Sequence, residues 1–294
     1  MSALNDLTTY NSLIVLLGTG LLGLACGVVG SFTVLRERAL IGDCVAHAAL
    51  PGICVSFLIF HDRGFATLFV GAAIAGLFSA AAVWGLRRHT RVKEDAALAI
   101  VLSSFFGLGI TLSRIIQNTP SGNAAGLDTF ILGKAASIAM SDVISIATVT
   151  AIALVTTLLL FKELTLLCFD AEFARAQRLS ARILDSILMV LVCLCASAGL
   201  PAVGAVLVAA LLIIPAATAR LWSDRIEHMV PLAGLTGLAS CVIGTAASVI
   251  TPGDLSIPTG PLIVLTAALL FAASLAISIA RRRTGARSSE APLL

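Results

Sequence analysis

Asp43 and His47 stand four residues apart inside an apolar run long enough to cross a bilayer. On a helix that spacing puts both side chains on one face, with Cβ atoms about 5–6 Å apart. A carboxylate and an imidazole that close can share a divalent cation. Ionisable groups in hydrocarbon cost on the order of 3 kcal/mol each, so they are found where a bundle interior or a wet pathway receives them. Pro51 adds to the pattern. It offers no N–H to the carbonyl of residue 47, and its ring bends the helix there. The pair has two readings. One is a cation pathway; the other is a structural hydrogen-bonded pair, or a carboxylate placed in the first turn of a helix.

The elements that must hold these residues are membrane helices. The chain has 294 residues, 59% hydrophobic and 12% charged, with mean hydropathy +1.04. Soluble domains carry roughly twice that charge. Apolar runs here are continuous and near twenty residues, which fits helices and not the alternating segments of a barrel. The expected fold class is all-α, a polytopic transmembrane helix bundle. Windows of about twenty residues give spans at 12–35, 39–60, 64–86, 96–116, 140–161, 184–199, 201–221, 229–250 and 260–280. The sixth and seventh are separated only by Gly199-Leu200-Pro201, so the count is eight or nine.

Charge sets the orientation. With the C-terminus in the cytoplasm, sixteen of the nineteen Lys and Arg fall on the inner side; Arg63, Arg114 and Lys134 fall outside. The positive-inside rule favours that alternation and puts the N-terminus outside. Asp43 is the only carboxylate well within a span, and His47 the only histidine. The seven cysteines form no CxxC pair and read as small buried hydrophobes. No basic leader precedes the first span, so no cleavable signal peptide is expected.

Two loops are long. The outer one, 117–139, is turn-rich at first and then patterned for a short surface helix. The inner one, 162–183, holds Asp170 as an N-cap, Glu172 in the first turn, and Phe169, Phe173 and Ala176 at helical spacing. That pattern fits an amphipathic helix, either resting on lipid or docking a soluble partner. No Walker A, GxSxG, HExxH or strand-linked GxGxxG occurs, so the chain is not expected to be an enzyme on its own.

Segment 30–52, GSFTVLRERALIGDCVAHAALPG, resembles the signature of the zinc/manganese/iron permeases of bacterial ABC importers. Four further stretches resemble the same family in order: 94–109 (EDAALAIVLSSFFGLG), 169–174 (FDAEFA), 203–220 (VGAVLVAALLIIPAATAR) and 258–264 (PTGPLIV). The resemblance implies a type II ABC-importer-like permease domain over 1–283 with a short cytoplasmic tail, 284–294. It implies a second permease subunit, a copy or a paralogue, around a central path in the inner membrane. It also implies a cytoplasmic ATPase dimer and an extracytoplasmic metal-binding protein. No cofactor is held permanently; the cargo is Zn²⁺, Mn²⁺ or Fe²⁺. Asp43 and His47 stand where the family has its in-membrane metal residues. Phe169, Asp170, Glu172, Phe173 and Ala174 stand where the coupling helix meets the ATPase. Arg178 stands where the family has Gly, so the end of that helix departs from the pattern. Some relatives have an added cytoplasmic domain, for which the short tail leaves no room.

In this mechanism the Gly23-x-x-x-Gly27 motif and the Pro51 and Pro215 kinks permit sliding between packings; the plainer role of the glycines is helix contact. An alternative from another class is a proton-coupled secondary metal transporter, with no ATPase. A third is a structural membrane subunit that passes nothing.

Overall fold

The computed structural model describes residues 10–61, 64–118, 138–170, 173, 180–250 and 258–289. These form ten helices: α1 Tyr10–Leu35, α2 Leu40–Phe60, α3 Phe65–His89, α4 Glu94–Gln117, α5 Met140–Leu159, α6 Phe161–Phe169, α7 Ala181–Val203, α8 Ala205–Arg220, α9 Ile226–Ile250 and α10 Thr259–Ser289. There is no strand among the described residues. Eight helices are long and apolar enough to cross a membrane, and the 16-residue α8 is a shorter apolar helix. The outer surfaces remain apolar: Phe78, Leu158 and Leu159 are between 70% and 77% exposed, as lipid contact requires.

α1 lies at the centre and is buried along most of its length. It packs against α9, α8, α5 and α7, while α2 packs against α3, α4, α7 and α8. Small residues let these backbones meet. A Cβ on Gly23 would sit 2.6 Å from the Gly237 carbonyl oxygen, and one on Gly27 would run into the Ala233 carbonyl. The Gly23/Gly27 motif is therefore the seam between α1 and α9. Gly52 and Gly71 face each other across α2 and α3 in the same way, each occupying the space a Cβ on the other would need. Buried hydroxyls tie helices together: Thr19 Oγ1 lies 3.2 Å from Thr245 Oγ1, and Thr150 Oγ1 donates to the Leu21 carbonyl at 3.3 Å.

The break between the sixth and seventh passes differs from the expected one. α7 runs through Gly199, Leu200 and Pro201 and ends at Gly204, whose φ of 86° turns the chain into α8. That conformation is open to glycine and strained for other residues. Gly199 instead packs against Val208 of α8 and Leu22 of α1. Pro201, in the last turn of α7, offers no N–H to the Ser197 carbonyl, and the helix continues only two residues beyond it. Pro51 and Pro215 lie inside α2 and α8 as the sequence expects.

A second difference concerns 162–183. A single non-helical residue, Leu160, separates α5 from the nine-residue helix α6. Leu164 and Leu167 of α6 are fully buried, so this stretch packs onto the bundle and is not loop. The surface helix expected in the later part of 117–139 falls in a stretch whose residues 119–137 lie outside the described residues.

Candidate functional site

The α1–α2 turn places the pair. Glu37 adopts a left-handed φ of 57°, and the Arg38 N–H donates to the Thr33 carbonyl at 2.9 Å, so four residues reverse the chain. α2 then begins at Leu40, and Asp43 sits in its first turn, near the Arg-rich end of the bundle. His47 Nε2 lies 3.3 Å from Asp43 Oδ1. Both side chains keep an open face: that of Asp43 is 36% exposed and that of His47 21%. Phe106 of α4 stands edge-on to the imidazole, with ring centroids 5.1 Å apart. Pro51, one turn further on, meets Gly109, where a Cβ would come within 2.9 Å of the proline ring. Thus Gly109 lets α4 close on the Pro51 segment, and Phe106, less than a turn earlier on α4, backs the imidazole. Phe106 lies within the 94–109 stretch but carries no polar atom, so residue type alone did not single it out.

Two ligands are fewer than the four a closed Zn²⁺ shell takes. No group of three or more His, Cys, Asp or Glu positioned for a metal occurs among the described residues. Asp43 and His47 thus form a partly open carboxyl–imidazole pair with an apolar ring behind the imidazole. The first-turn position also gives Asp43 the favourable end of the helix dipole.

Sequence reasoning did not foresee a charge network at the same end of the bundle. Arg36 forks onto Asp185 of α7, at 3.0 and 3.2 Å, and donates to the Leu167 carbonyl of α6 at 3.0 Å. Arg38 bridges Asp185 at 3.3 Å and Glu94 of α4 at 3.2 Å, and Arg87 of α3 reaches Glu94 at 2.6 Å. Five residues thus lock the ends of α1, α3, α4, α6 and α7 together. Cys168 of α6 lies beside the network, its thiol 3.9 Å from the Phe32 carbonyl. Burial pushes this thiol up to about 11, against the pull of Arg36 and with the help of Asp185.

Of the expected coupling residues, Phe169 ends α6 and is exposed, and Phe173 is exposed too. Asp170 Oδ1 accepts the Phe173 backbone N–H at 2.8 Å, the contact an N-cap makes. Glu172 and Ala174 lie outside the described residues, as does Arg178.

These features define a class: a multi-pass helical membrane protein, with eight candidate spans among the described residues. Residues 9–278 match the ABC 3 transport family. The chain belongs to the ABC 3 transport family. It is 44% identical over 257 residues to the manganese transport system membrane protein MntC of Bacillus subtilis, covering 87% of this chain and 58% of that protein. It is 39% identical over 265 residues to the zinc transport system membrane protein TroC of Treponema pallidum, covering 90% of this chain and 87% of that one. The chain thus spans little more than half the length of the first relative and most of the second. Among solved structures, PsaBC from Streptococcus pneumoniae in complex with Fab superposes with a TM-score of 0.81 at 30% identity, covering 93% of this chain and 94% of that chain.

Proposed function

We propose that this chain is the membrane permease subunit of an ATP-driven importer that moves a divalent transition metal ion, Zn²⁺, Mn²⁺ or Fe²⁺, across the bacterial inner membrane. The permease domain is 1–283, and 284–294 is a cytoplasmic tail. The Arg-rich end faces the cytoplasm and the N-terminus faces out, on the charge asymmetry of the loops. The observation that carries the reading is the Asp43–His47 pair at 3.3 Å, open on one side and backed by Phe106. A half-shell of this kind holds an ion weakly enough to release it, and two copies facing across a central path supply four ligands. Family membership and the manganese and zinc systems of the relatives support the cargo class.

The partners follow from the same reading. A second permease subunit completes the path, and an extracytoplasmic binding protein delivers the ion. An ATPase dimer docks on 162–183, with Phe169, Asp170, Glu172, Phe173 and Ala174 as contacts. ATP is hydrolysed on those partner chains and not on this one. The exposure of Phe169 and Phe173, which flank the Asp170 cap in sequence, supports a docking element. Pro51 and Pro215 are the points where helices bend as the path opens.

The test is metal uptake in cells that lack other importers of the ion. Asp43→Asn removes charge and His47→Ala removes the nitrogen ligand. Each is expected to cut uptake tenfold or more while the complex assembles and binds nucleotide. The double variant is expected to be little worse than either single one, since both remove one shared site. Wild-type uptake in both single variants with normal assembly overturns the reading. Uptake that collapses with the proton gradient while ATP is plentiful assigns the chain to a proton-coupled transporter instead.

A further inference from the structure

Beside the charge network, a cavity of about 660 Å³ opens between α3 and α7. Its lower walls are hydrocarbon, from Leu77 and Ala80 on α3 and Met189 and Val190 on α7. Its upper rim is charged. Arg38, Arg87, Arg88 and Arg182 line it with two carboxylates, Glu94 and Asp185. The four cations outnumber the anions by two, and both carboxylates are already engaged by Arg36, Arg38 and Arg87. Arg88 and Arg182 form no ion pair among the described residues.

The level of this rim is marked independently. The chain has two tryptophans. Trp84, part of the cavity wall, lies under the Arg88 guanidinium at 5.1 Å, and Trp222 lies under Arg281 at 4.8 Å. Tryptophans with cations above them sit at the headgroup layer of a bilayer. An apolar slot that points into hydrocarbon and ends in surplus guanidinium groups at headgroup level is complementary to one occupant. We infer that the α3–α7 cavity binds an anionic phospholipid, its phosphate between Arg88 and Arg182 and an acyl chain along Leu77, Met189 and Val190. Arg182 is the second residue of α7, directly after the 162–183 segment. The lipid therefore anchors the base of α7 beside that segment. This goes beyond the transport reading and does not depend on it, since it needs neither metal nor ATPase.

The test uses the full chain, delipidated in detergent. Phosphatidylglycerol, phosphatidylcholine and inorganic phosphate are titrated separately, with retention read by native mass spectrometry and stabilisation by the thermal midpoint. Phosphatidylglycerol is expected to bind and raise the midpoint. The double variant R88Q/R182Q is expected to lose about thirtyfold in apparent affinity, the effect of two interfacial cations. R114Q, at the opposite end of the bundle, is expected to bind as the wild type. Both substituted arginines are solvent-exposed, so the variant folds, which the midpoint of the lipid-free protein checks. Unchanged phosphatidylglycerol affinity in R88Q/R182Q overturns the inference. So does equal binding of phosphatidylcholine, which makes the cavity a plain hydrocarbon groove. So does an equal effect of inorganic phosphate at the same concentration, which makes it a free-anion site.

Discussion

Replacing Gly71 with alanine tests whether helix contact, and not helix propensity, dictates the glycines of this bundle. A Cβ at position 71 would lie 2.5 Å from the Gly52 carbonyl oxygen and 2.6 Å from the Ser56 Cβ. An unstrained carbon–oxygen contact needs about 3.4 Å or more, so α2 and α3 must separate by close to 1 Å. Neither obstacle is the mobile end of a side chain, and overpacking of this kind costs about 1–3 kcal/mol. The alanine recovers about 0.5–1 kcal/mol of helix propensity, which leaves a net loss centred on about 1 kcal/mol and reaching about 2.5 kcal/mol. Gly85 in the same helix is the control, because a Cβ there meets nothing within 4 Å. Gly85→Ala keeps only the propensity gain and is expected to stabilise by about 0.5 kcal/mol or more. The assay is the unfolding midpoint in mixed micelles titrated with a denaturing detergent, followed by circular dichroism. Opposite signs are expected. The same sign and size for both variants would refute the packing argument, since it would show that α2 and α3 do not meet as the structure has them.

Asp185→Asn leaves Arg36 and Arg38 facing a neutral amide in a network that is only partly exposed. A loss of about 2 kcal/mol is expected after allowing for solvent screening, read from the same midpoint. Cys168, with a thiol near 11, has about a thousandth of its population as thiolate at pH 8. An exposed cysteine has about a quarter, so maleimide labelling of Cys168 is expected to be over a hundredfold slower and to speed up as pH rises through 9 and 10. Equal labelling rates at pH 8 would show that the thiol is not buried between α6 and α1. Phe173→Asp puts a charge where the proposed ATPase groove needs an apolar anchor, and stimulated ATP hydrolysis is expected to fall tenfold or more with the permease intact. Full stimulation would make the segment a lipid-resting helix.

Much of the fold was legible because hydrocarbon imposes a simple rule: about twenty apolar residues per pass. All nine runs recur as helices with ends shifted by about four residues at most, except that α10 continues past 280 to Ser289. The α7–α8 break was misplaced because Gly199 and Pro201 are the stronger breaker signal in sequence. Which glycine takes a positive φ depends on the packing of Val208 and Leu22, which is not local. α6 was read as loop because it follows α5 after one residue and mixes Lys162 and Glu163 with leucines. The Asp43–His47 contact was legible because i and i+4 suffice to set it. The network of Arg36, Arg38, Arg87, Glu94 and Asp185 was not, since its members come from four separate stretches. Only their shared side of the membrane hinted at it.

The seam between α1 and α9 limits how this bundle can move. Thr19, Gly23, Gly27 and Ser31 recur every four residues along α1, and the carbonyls of Ala233 and Gly237 press against the two glycines in the middle. Shifting α1 along α9 by one turn, about 5.4 Å, would bring the Cβ of Thr19 or Ser31 to where only hydrogen fits. The two helices therefore behave as teeth in a single notch. They can pivot about the glycine contact but cannot ratchet past it. Any alternation between two shapes has to be a rocking of blocks around this axle, with α2 and α3 kept in one block by their own close contact at Gly52 and Gly71.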